Sequence, residues 1–244
     1  MQWQLATGSK TIRALRGADA GVDRAWRRRG IWTRLVDANL SMAGSASPVV
    51  VHGNATSQAG YRRRGWPHAL RVRLWARPVA SVPCVGADTT SLLPASSLPR
   101  NAWRELSQRR SSLVGESAVE TNQTPEYLEW RYAKIPGLGY VVGNRRDEAY
   151  SYIGYIRKHG RFDEFRICDA DQLPPVSFRH LPNRRVIVMT LLRRQGLGWQ
   201  TRLPCSGFIP VPNRTTSVLV HHLAPHSREV GDWAPSFGDL DFFF

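Results

Sequence analysis

The fold is decided by a segment that runs from Ala18 to Ala43 and reads ADAGVDRAWRRRGIWTRLVDANLSMA. A strand over about Thr11–Val22 is expected to end near Val22, and a short basic turn then closes at Gly30. After Gly30, apolar residues recur at helical spacing, at Ile31, Leu35, Val36, Ala38, Leu40 and Met42. The segment therefore predicts a strand, a basic turn and an amphipathic helix, in that order.

The turn has the chemistry of an anion site. A strand that leads through a turn into a helix directs free backbone N–H groups and the positive end of the helix dipole at one point. Gly30 lets the backbone approach a ligand without an intervening Cβ, and Arg27, Arg28 and Arg29 add charge suited to a pyrophosphate or ribose phosphate. A solvated basic turn before an ordinary amphipathic helix explains the same spacing equally well.

A second segment begins with Val49–Asn54, which predicts a buried strand running into a turn. A helix after this turn would carry Tyr61 near its far end. A tyrosine hydroxyl held there could donate a proton to a leaving thiolate as a general acid. The alternative is that Tyr61 is an amphipathic surface residue and Trp66 a core residue.

Composition and charge limit the class of protein. The 244 residues include 34 Lys and Arg against 19 Asp and Glu, a net charge of +15, and 42% are hydrophobic, as in a globular protein of one or two domains. Residues 1–80 hold 14 basic and 3 acidic residues, a net +11, so any polyanion site is expected there. Only three of the basic residues are lysines, which indicates a coding bias toward arginine and weakens a nucleic-acid interpretation.

Other signals are weak. The sequence does not start with a basic stretch followed by an apolar one, so no secretion signal is predicted. It also contains no run of about 18 apolar residues, so no membrane span is predicted. A soluble, cytoplasmic protein without a membrane partner is therefore expected. Neither a disulfide framework nor a metal site is expected, because the three cysteines lie far apart and form no CxxC, at Cys84, Cys168 and Cys205.

The two segments together resemble the GCN5-related N-acetyltransferase (GNAT) superfamily. Its acyl-CoA loop has the pattern Arg/Gln-x-x-Gly-x-Gly/Ala, which this sequence matches at Arg27 and Gly30, while Trp32 stands in place of the final small residue, as in one subgroup. A later motif of the same subgroup is similar to a set of residues in the second segment and beyond it, Asn54, Tyr61, Gly65, Trp66, Arg77 and Pro78.

This resemblance implies that acetyl-CoA is the co-substrate and that Tyr61 is the general acid. It assigns the pantetheine arm to the backbone around Val22, and it implies that Asn54 either contacts this arm or orders the split between adjacent strands. It assigns the pyrophosphate of CoA to the loop and the start of the helix, namely Arg27, Arg28, Arg29, Gly30, Ile31 and Trp32.

The resemblance continues in the C-terminal half, where Tyr127–Tyr132, Ser206–Phe208 and the stretch from Trp233 to Asp241 are similar to the second half of tandem members. It implies an α+β fold with a mixed sheet flanked by helices. The expected divisions are a partial GNAT domain over 1–80, a linker over 81–120 and a second, degenerate GNAT-like domain over 121–244. The family's elements that precede its loop strand have almost no counterpart before Thr11, so an N-terminally truncated chain is expected.

Local patterns predict further elements after residue 120. Thr124 is expected to cap a short helix that begins at Pro125 and ends near Tyr132. The other elements are a hairpin of Tyr140–Gly143 with Tyr150–Ile156, and strands at Phe165–Cys168, Arg185–Leu192 and Ser217–His221.

The leading hypothesis is an acyl-CoA-dependent N-acyltransferase that transfers an acetyl group to the amine of a small molecule or to another amino group, with activity impaired if the chain is truncated. The alternatives are a non-catalytic protein whose Arg-rich first third binds nucleic acid or another polyanion, and an inactive pseudoenzyme. The sequence leaves the acceptor and the oligomeric state open.

Overall fold

The computed structural model describes residues 2–7, 10–17, 21–43, 48–53, 55–66, 68–79, 91–113, 119–144, 152–159, 162–170, 185–191 and 207–221. In these ranges the chain forms, in order, β1 (Gln2–Thr7), β2 (Lys10–Gly17), α1 (Ile31–Ala43), β3 (Val49–Gly53), α2 (Ala55–Arg63), β4 (His68–Val79), β5 (Ser91–Pro94), α3 (Arg100–Leu113), β6 (Val119–Thr121), α4 (Pro125–Glu129), β7 (Tyr140–Asn144), β8 (Tyr152–His159), β9 (Phe162–Ala170), β10 (Arg185–Leu191) and β11 (Ile209–His221). None of the helices described is long and apolar enough to cross a membrane.

The chain divides into two compact units. Unit 1 comprises Met1–Val72, Glu116–Thr121 and Thr215–Trp233, and unit 2 comprises Arg73–Gly115, Asn122–Arg214 and Ala234–Phe244. Residues 91–113, inside the range predicted as a linker, form β5 and α3, and Trp103 of α3 is buried. The division of the sequence at 80 and 120 stays a prediction.

Unit 1 is built on a mixed sheet in the order β11-β3-β2-β1-β6. β2 and β3 are parallel, with Gly17 beside Val51, whereas β1 pairs antiparallel with β2 and β11 antiparallel with β3. Parallel neighbours need a crossover connection, and α1 supplies it. One core cluster joins these helices and strands, formed by Val36, Val49, Val51, Tyr61, Trp66 and Leu219.

The first strands differ from the sequence expectation. β2 ends at Gly17 rather than near Val22, and residues 21–23 have no regular structure. The Asp23 side chain accepts a hydrogen bond from the Ala25 amide at 2.8 Å, which starts a helical turn after these residues. A further strand, β1, lies before Thr11 and forms a hairpin with β2, with Gln2 beside Leu15.

In unit 2 the strands follow the order β5-β7-β8-β9-β10-β4. Only β9 and β10 are parallel in this order. The predicted hairpin is confirmed as β7 and β8, with Tyr140 beside Tyr155. The predicted helix start is also confirmed, because Thr124 Oγ1 accepts from the Tyr127 amide at 3.2 Å and Pro125 occupies the first turn.

The mixed strand pairing and the helices of the described residues confirm the predicted mixed α/β fold class. The predicted helix after Gly30 is confirmed as α1, and the predicted buried strand beginning at Val49 is confirmed as β3. These elements set the positions of the candidate site in unit 1.

Candidate functional site

The segment between β2 and α1 is a tight basic loop. Asp23 caps a single helical turn, Arg24–Trp26, and the Arg27 side chain then returns to donate from Nε to the Val22 carbonyl at 3.2 Å. The backbone of Arg28 has a φ of 65° and that of Gly30 a φ of 71°, so both residues are left-handed. Two such residues within three positions turn the chain sharply into α1.

Gly30 is the residue at which the helix begins. Its carbonyl accepts from the Arg34 amide at 3.1 Å, which is the first hydrogen bond of α1. A Cβ added to Gly30 would meet nothing within 4 Å, so the space next to this residue is open. The helix leaves its first amides, those of Ile31, Trp32 and Thr33, without acceptors inside the helix, and these amides suit an anion.

The electrostatics of the loop favour an anion. Arg24, Arg27, Arg28, Arg29 and Arg34 are all exposed. The first turn of α1 has no acidic residue. Asp23, the one carboxylate between residues 21 and 36, is engaged as the cap of the preceding turn. The guanidinium groups and the helix N-terminus therefore both contribute positive charge to the same region.

Tyr61 lies near the far end of α2, as the sequence predicts, but it is not a surface residue. Its side chain is 6% exposed and belongs to the core cluster of unit 1. Its ring centroid is 4.8 Å from that of Trp66, which is itself buried as expected. Burial raises the pKa of the Tyr61 phenol, so the hydroxyl keeps its proton and remains a donor at neutral pH.

Trp32 connects α1 to α2. Its ring centroid lies 4.8 Å from that of Tyr61 in an edge-on arrangement. Its ring also covers Gly60, because a Cβ at Gly60 would lie 2.7 Å from Trp32 Cζ3. The indole that replaces the small residue of the loop pattern is therefore accommodated by a glycine in the facing helix.

Sequence reasoning missed this contact between Trp32 and Gly60. The available signal was a glycine inside a helix, which costs about 1 kcal/mol relative to alanine and usually has a packing reason. An ion pair between Asp37 of α1 and Arg64, just after α2, links the same two helices.

The remaining predicted residues differ in what the structure shows of them. Val22 lies in the loop rather than in a strand, and its carbonyl is occupied by Arg27. Asn54 lies outside the described residues. The described part of the chain holds no cluster of His, Cys, Asp or Glu side chains that could bind a metal ion.

Comparison with known proteins places the fold. No protein family matches the sequence of this chain, and no curated protein matches it. Solved structures do match: a GCN5-related N-acetyltransferase from Anabaena variabilis aligns with a TM-score of 0.59 and 14% identity, over 90% of this chain and 57% of that one. N-myristoyltransferase of Saccharomyces cerevisiae, with bound myristoyl-CoA, aligns with a TM-score of 0.57 and 11% identity, over 91% and 65%.

A GCN5-related N-acetyltransferase from Kribbella flavida aligns with a TM-score of 0.51 and 12% identity, over 90% of this chain and 54% of that one. This chain thus spans between about half and two thirds of the length of these structures. At such identities the likeness shows the fold, which is that of GCN5-related N-acetyltransferases.

Proposed function

We propose that this protein is an acyl-CoA-dependent N-acyltransferase that transfers an acetyl group from acetyl-CoA to an amine. The observation that carries the proposal is the arginine-rich loop that ends at Gly30 and opens α1, next to the parallel pair β2 and β3. In sheets with parallel strands, ligands bind outside the carboxyl ends of those strands, and this loop follows the carboxyl end of β2.

The loop would hold the pyrophosphate of CoA. The open space beside Gly30 admits the phosphates, and the amides of Ile31 and Trp32 donate to them. The side chains of Arg27, Arg28 and Arg29 are exposed and supply the opposing charge. Trp32 would contribute its backbone only, since its ring is packed against Gly60.

The pantetheine arm would follow the loop toward the two parallel strands. Backbone groups around Val22 are proposed to pair with it, except for the Val22 carbonyl, which Arg27 occupies. Asn54, which follows Gly53 in the sequence, is proposed as a second contact. These assignments rest on the resemblance of the sequence motifs to those of the superfamily.

Tyr61 would provide the proton for the leaving group. In the proposed reaction the acceptor nitrogen attacks the thioester carbonyl, the carbon–sulfur bond breaks, and the phenol donates its proton to the CoA thiolate. Burial raises the pKa of the phenol, so Tyr61 is protonated before each transfer and is a weaker acid than an exposed tyrosine. The phenolate recovers a proton from solvent, and the acceptor nitrogen releases one, so the proton balance is closed.

A tandem arrangement is proposed for the chain as a whole, with the CoA loop in residues 1–80 and a second GNAT-like domain in 121–244. Two features support it: the chain forms two compact units, of which unit 1 also includes Thr215–Trp233, and the described residues of each unit contain a parallel strand pair, β2 with β3 and β9 with β10. The acceptor is proposed to be a small molecule or an amino group of a larger one.

The test is the melting temperature with and without acetyl-CoA. Acetyl-CoA should raise it, since a ligand that binds only the folded state stabilises that state. Gly30→Glu should abolish the increase by placing a carboxylate at the helix start. Gly137→Glu is the matched control, because Gly137 also has a positive φ, 93°, and open space around its Cβ position. No increase for the unmodified protein would reject the cofactor assignment.

A further inference from the structure

An exposed tryptophan lies immediately before the arginine loop. Trp26 ends the helical turn Arg24–Trp26, in which no residue is buried, and 54% of its surface is exposed. It does not belong to the core cluster of unit 1. A large aromatic side chain in such a position does little for folding, because most of its apolar surface stays in water.

Trp26 is nevertheless held in a defined place. The guanidinium carbon of Arg29 lies 4.8 Å from the centre of the Trp26 ring. The turn that carries the indole is fixed from both sides, by the Asp23 cap before it and by the Arg27 bond to the Val22 carbonyl after it. The result is a flat aromatic surface backed by a cation, one residue away from Arg27.

This combination suits one kind of chemical group, a base joined to phosphates. An aromatic side chain stacks on the face of a base, and an adjacent arginine contributes both a cation–π contact and attraction for phosphate oxygens. In CoA the adenosine is attached to the same pyrophosphate as the pantetheine arm, so its base must lie close to whatever residues bind the pyrophosphate.

We propose that Trp26, backed by Arg29, is the platform on which the adenine base of CoA stacks. This inference rests on the proposed function, because it takes the loop from Arg27 to Trp32 as the pyrophosphate site. The base lies on the indole face opposite Arg29. The pantetheine arm, on the other side of the pyrophosphate, does not contact Trp26.

The test compares three ligands by isothermal titration calorimetry: CoA, 4′-phosphopantetheine, which lacks the adenosine, and adenosine 3′,5′-bisphosphate, which lacks the pantetheine. Trp26→Ala should lower the affinities for CoA and for the bisphosphate by about tenfold, which is the effect of losing one base stacked on an aromatic residue. It should leave the affinity for 4′-phosphopantetheine within about twofold of the unmodified protein. Trp26→Phe, which keeps an aromatic face, should recover most of the loss.

Trp130→Ala is the matched control, because Trp130 is similarly exposed, at 43%, and lies in unit 2. It should change none of the three affinities. The platform is rejected if Trp26→Ala weakens all three ligands equally or leaves CoA binding unchanged. Failure of the unmodified protein to bind CoA would reject the proposed function and the platform with it, whereas an unchanged CoA affinity in Trp26→Ala would reject the platform alone.

Discussion

The indole of Trp32 lies directly against Gly60, so close that the facing helix has no room for a Cβ at that position. The contact joins the helix that begins at the arginine-rich loop to the helix that carries Tyr61. The edge of the same indole meets the Tyr61 ring. The loop and the proposed proton donor are therefore fixed relative to each other by packing within unit 1.

Gly60→Ala should destabilise the protein. The new Cβ would lie 2.7 Å from the Trp32 ring, and overpacking of this kind costs about 1–3 kcal/mol, more than the gain in helix propensity. The free energy of unfolding in urea measures the effect. Gly139→Ala is the control, because a Cβ there would meet nothing within 4 Å.

The same substitution should be tolerated when the indole is removed. In a Trp32→Ala background, Gly60→Ala should cost little or become favourable, which gives a measurable coupling energy between the two positions. An increase in stability for Gly60→Ala alone would show that the two helices are not in contact at this point.

Tyr61→Phe should slow acetyl transfer without preventing acetyl-CoA binding. The substitution keeps the ring that packs on Trp32 and Trp66 and removes only the proton, and loss of a general acid costs about 10²–10⁴-fold. Steady-state kinetics should show the loss in kcat with little change in the KM for acetyl-CoA. Equal loss of binding and turnover would reject the proton-donor role.

The pH dependence follows from the direction of the Tyr61 shift. A phenol whose pKa is raised above its ordinary value of about 10 is still protonated when unperturbed tyrosines ionise. The Tyr61-dependent part of kcat should therefore persist beyond pH 10. The same raised pKa lowers stability above pH 10, because the unfolded state then binds fewer protons than the folded state. A fall in the Tyr61-dependent activity at neutral pH would contradict this assignment.

Arg28→Gly should stabilise the free protein and lower its affinity for acetyl-CoA. A positive φ such as that of Arg28 costs a residue with a Cβ about 1 kcal/mol of folding free energy. Glycine avoids this cost, and the gain is only partly offset because glycine also makes the unfolded chain more flexible. The melting temperature should rise slightly, whereas the further increase caused by acetyl-CoA should become smaller. Arg27→Gly should give no such stabilisation, since Arg27 has a φ of −65°.

Asp169→Asn should strongly destabilise unit 2. Asp169 and Arg110 form an ion pair whose side chains are both 2% exposed. Removing one charge leaves the other buried without its counter-ion, which costs about 3–5 kcal/mol. The exposed pair of Lys134 with Glu129, at 3.0 Å, provides the control. Lys134→Ala should change the unfolding free energy by less than about 1 kcal/mol.

The elements that follow from local patterns were predictable. The apolar spacing after Gly30 predicts α1, and Thr124 followed by Pro125 predicts the start of α4, because both signals lie within a few residues of the element they specify. The alternation of Trp3 and Leu5 with glutamines also indicates a strand, and it was a readable signal for β1.

Features that depend on distant residues were not predictable. Nothing near Trp32 in the sequence specifies that it meets Gly60, which lies in another helix, and nothing near Gly17 explains why β2 ends before the apolar Val22. The burial of Asp163, Glu164 and Asp169 along β9 was also not predictable, since acidic residues are rarely buried unless they are paired.

The pairing of β3 with β11 has a consequence for the order of folding. Ser217 lies beside Gly53, so β3 is synthesised long before the strand that covers one of its edges. During synthesis, β2 and α1 can form with β3 early, while this edge stays open to other chains until β11 has emerged from the ribosome. Such a long-range pairing slows the last step of folding, and during that interval the nascent protein is most exposed to aggregation.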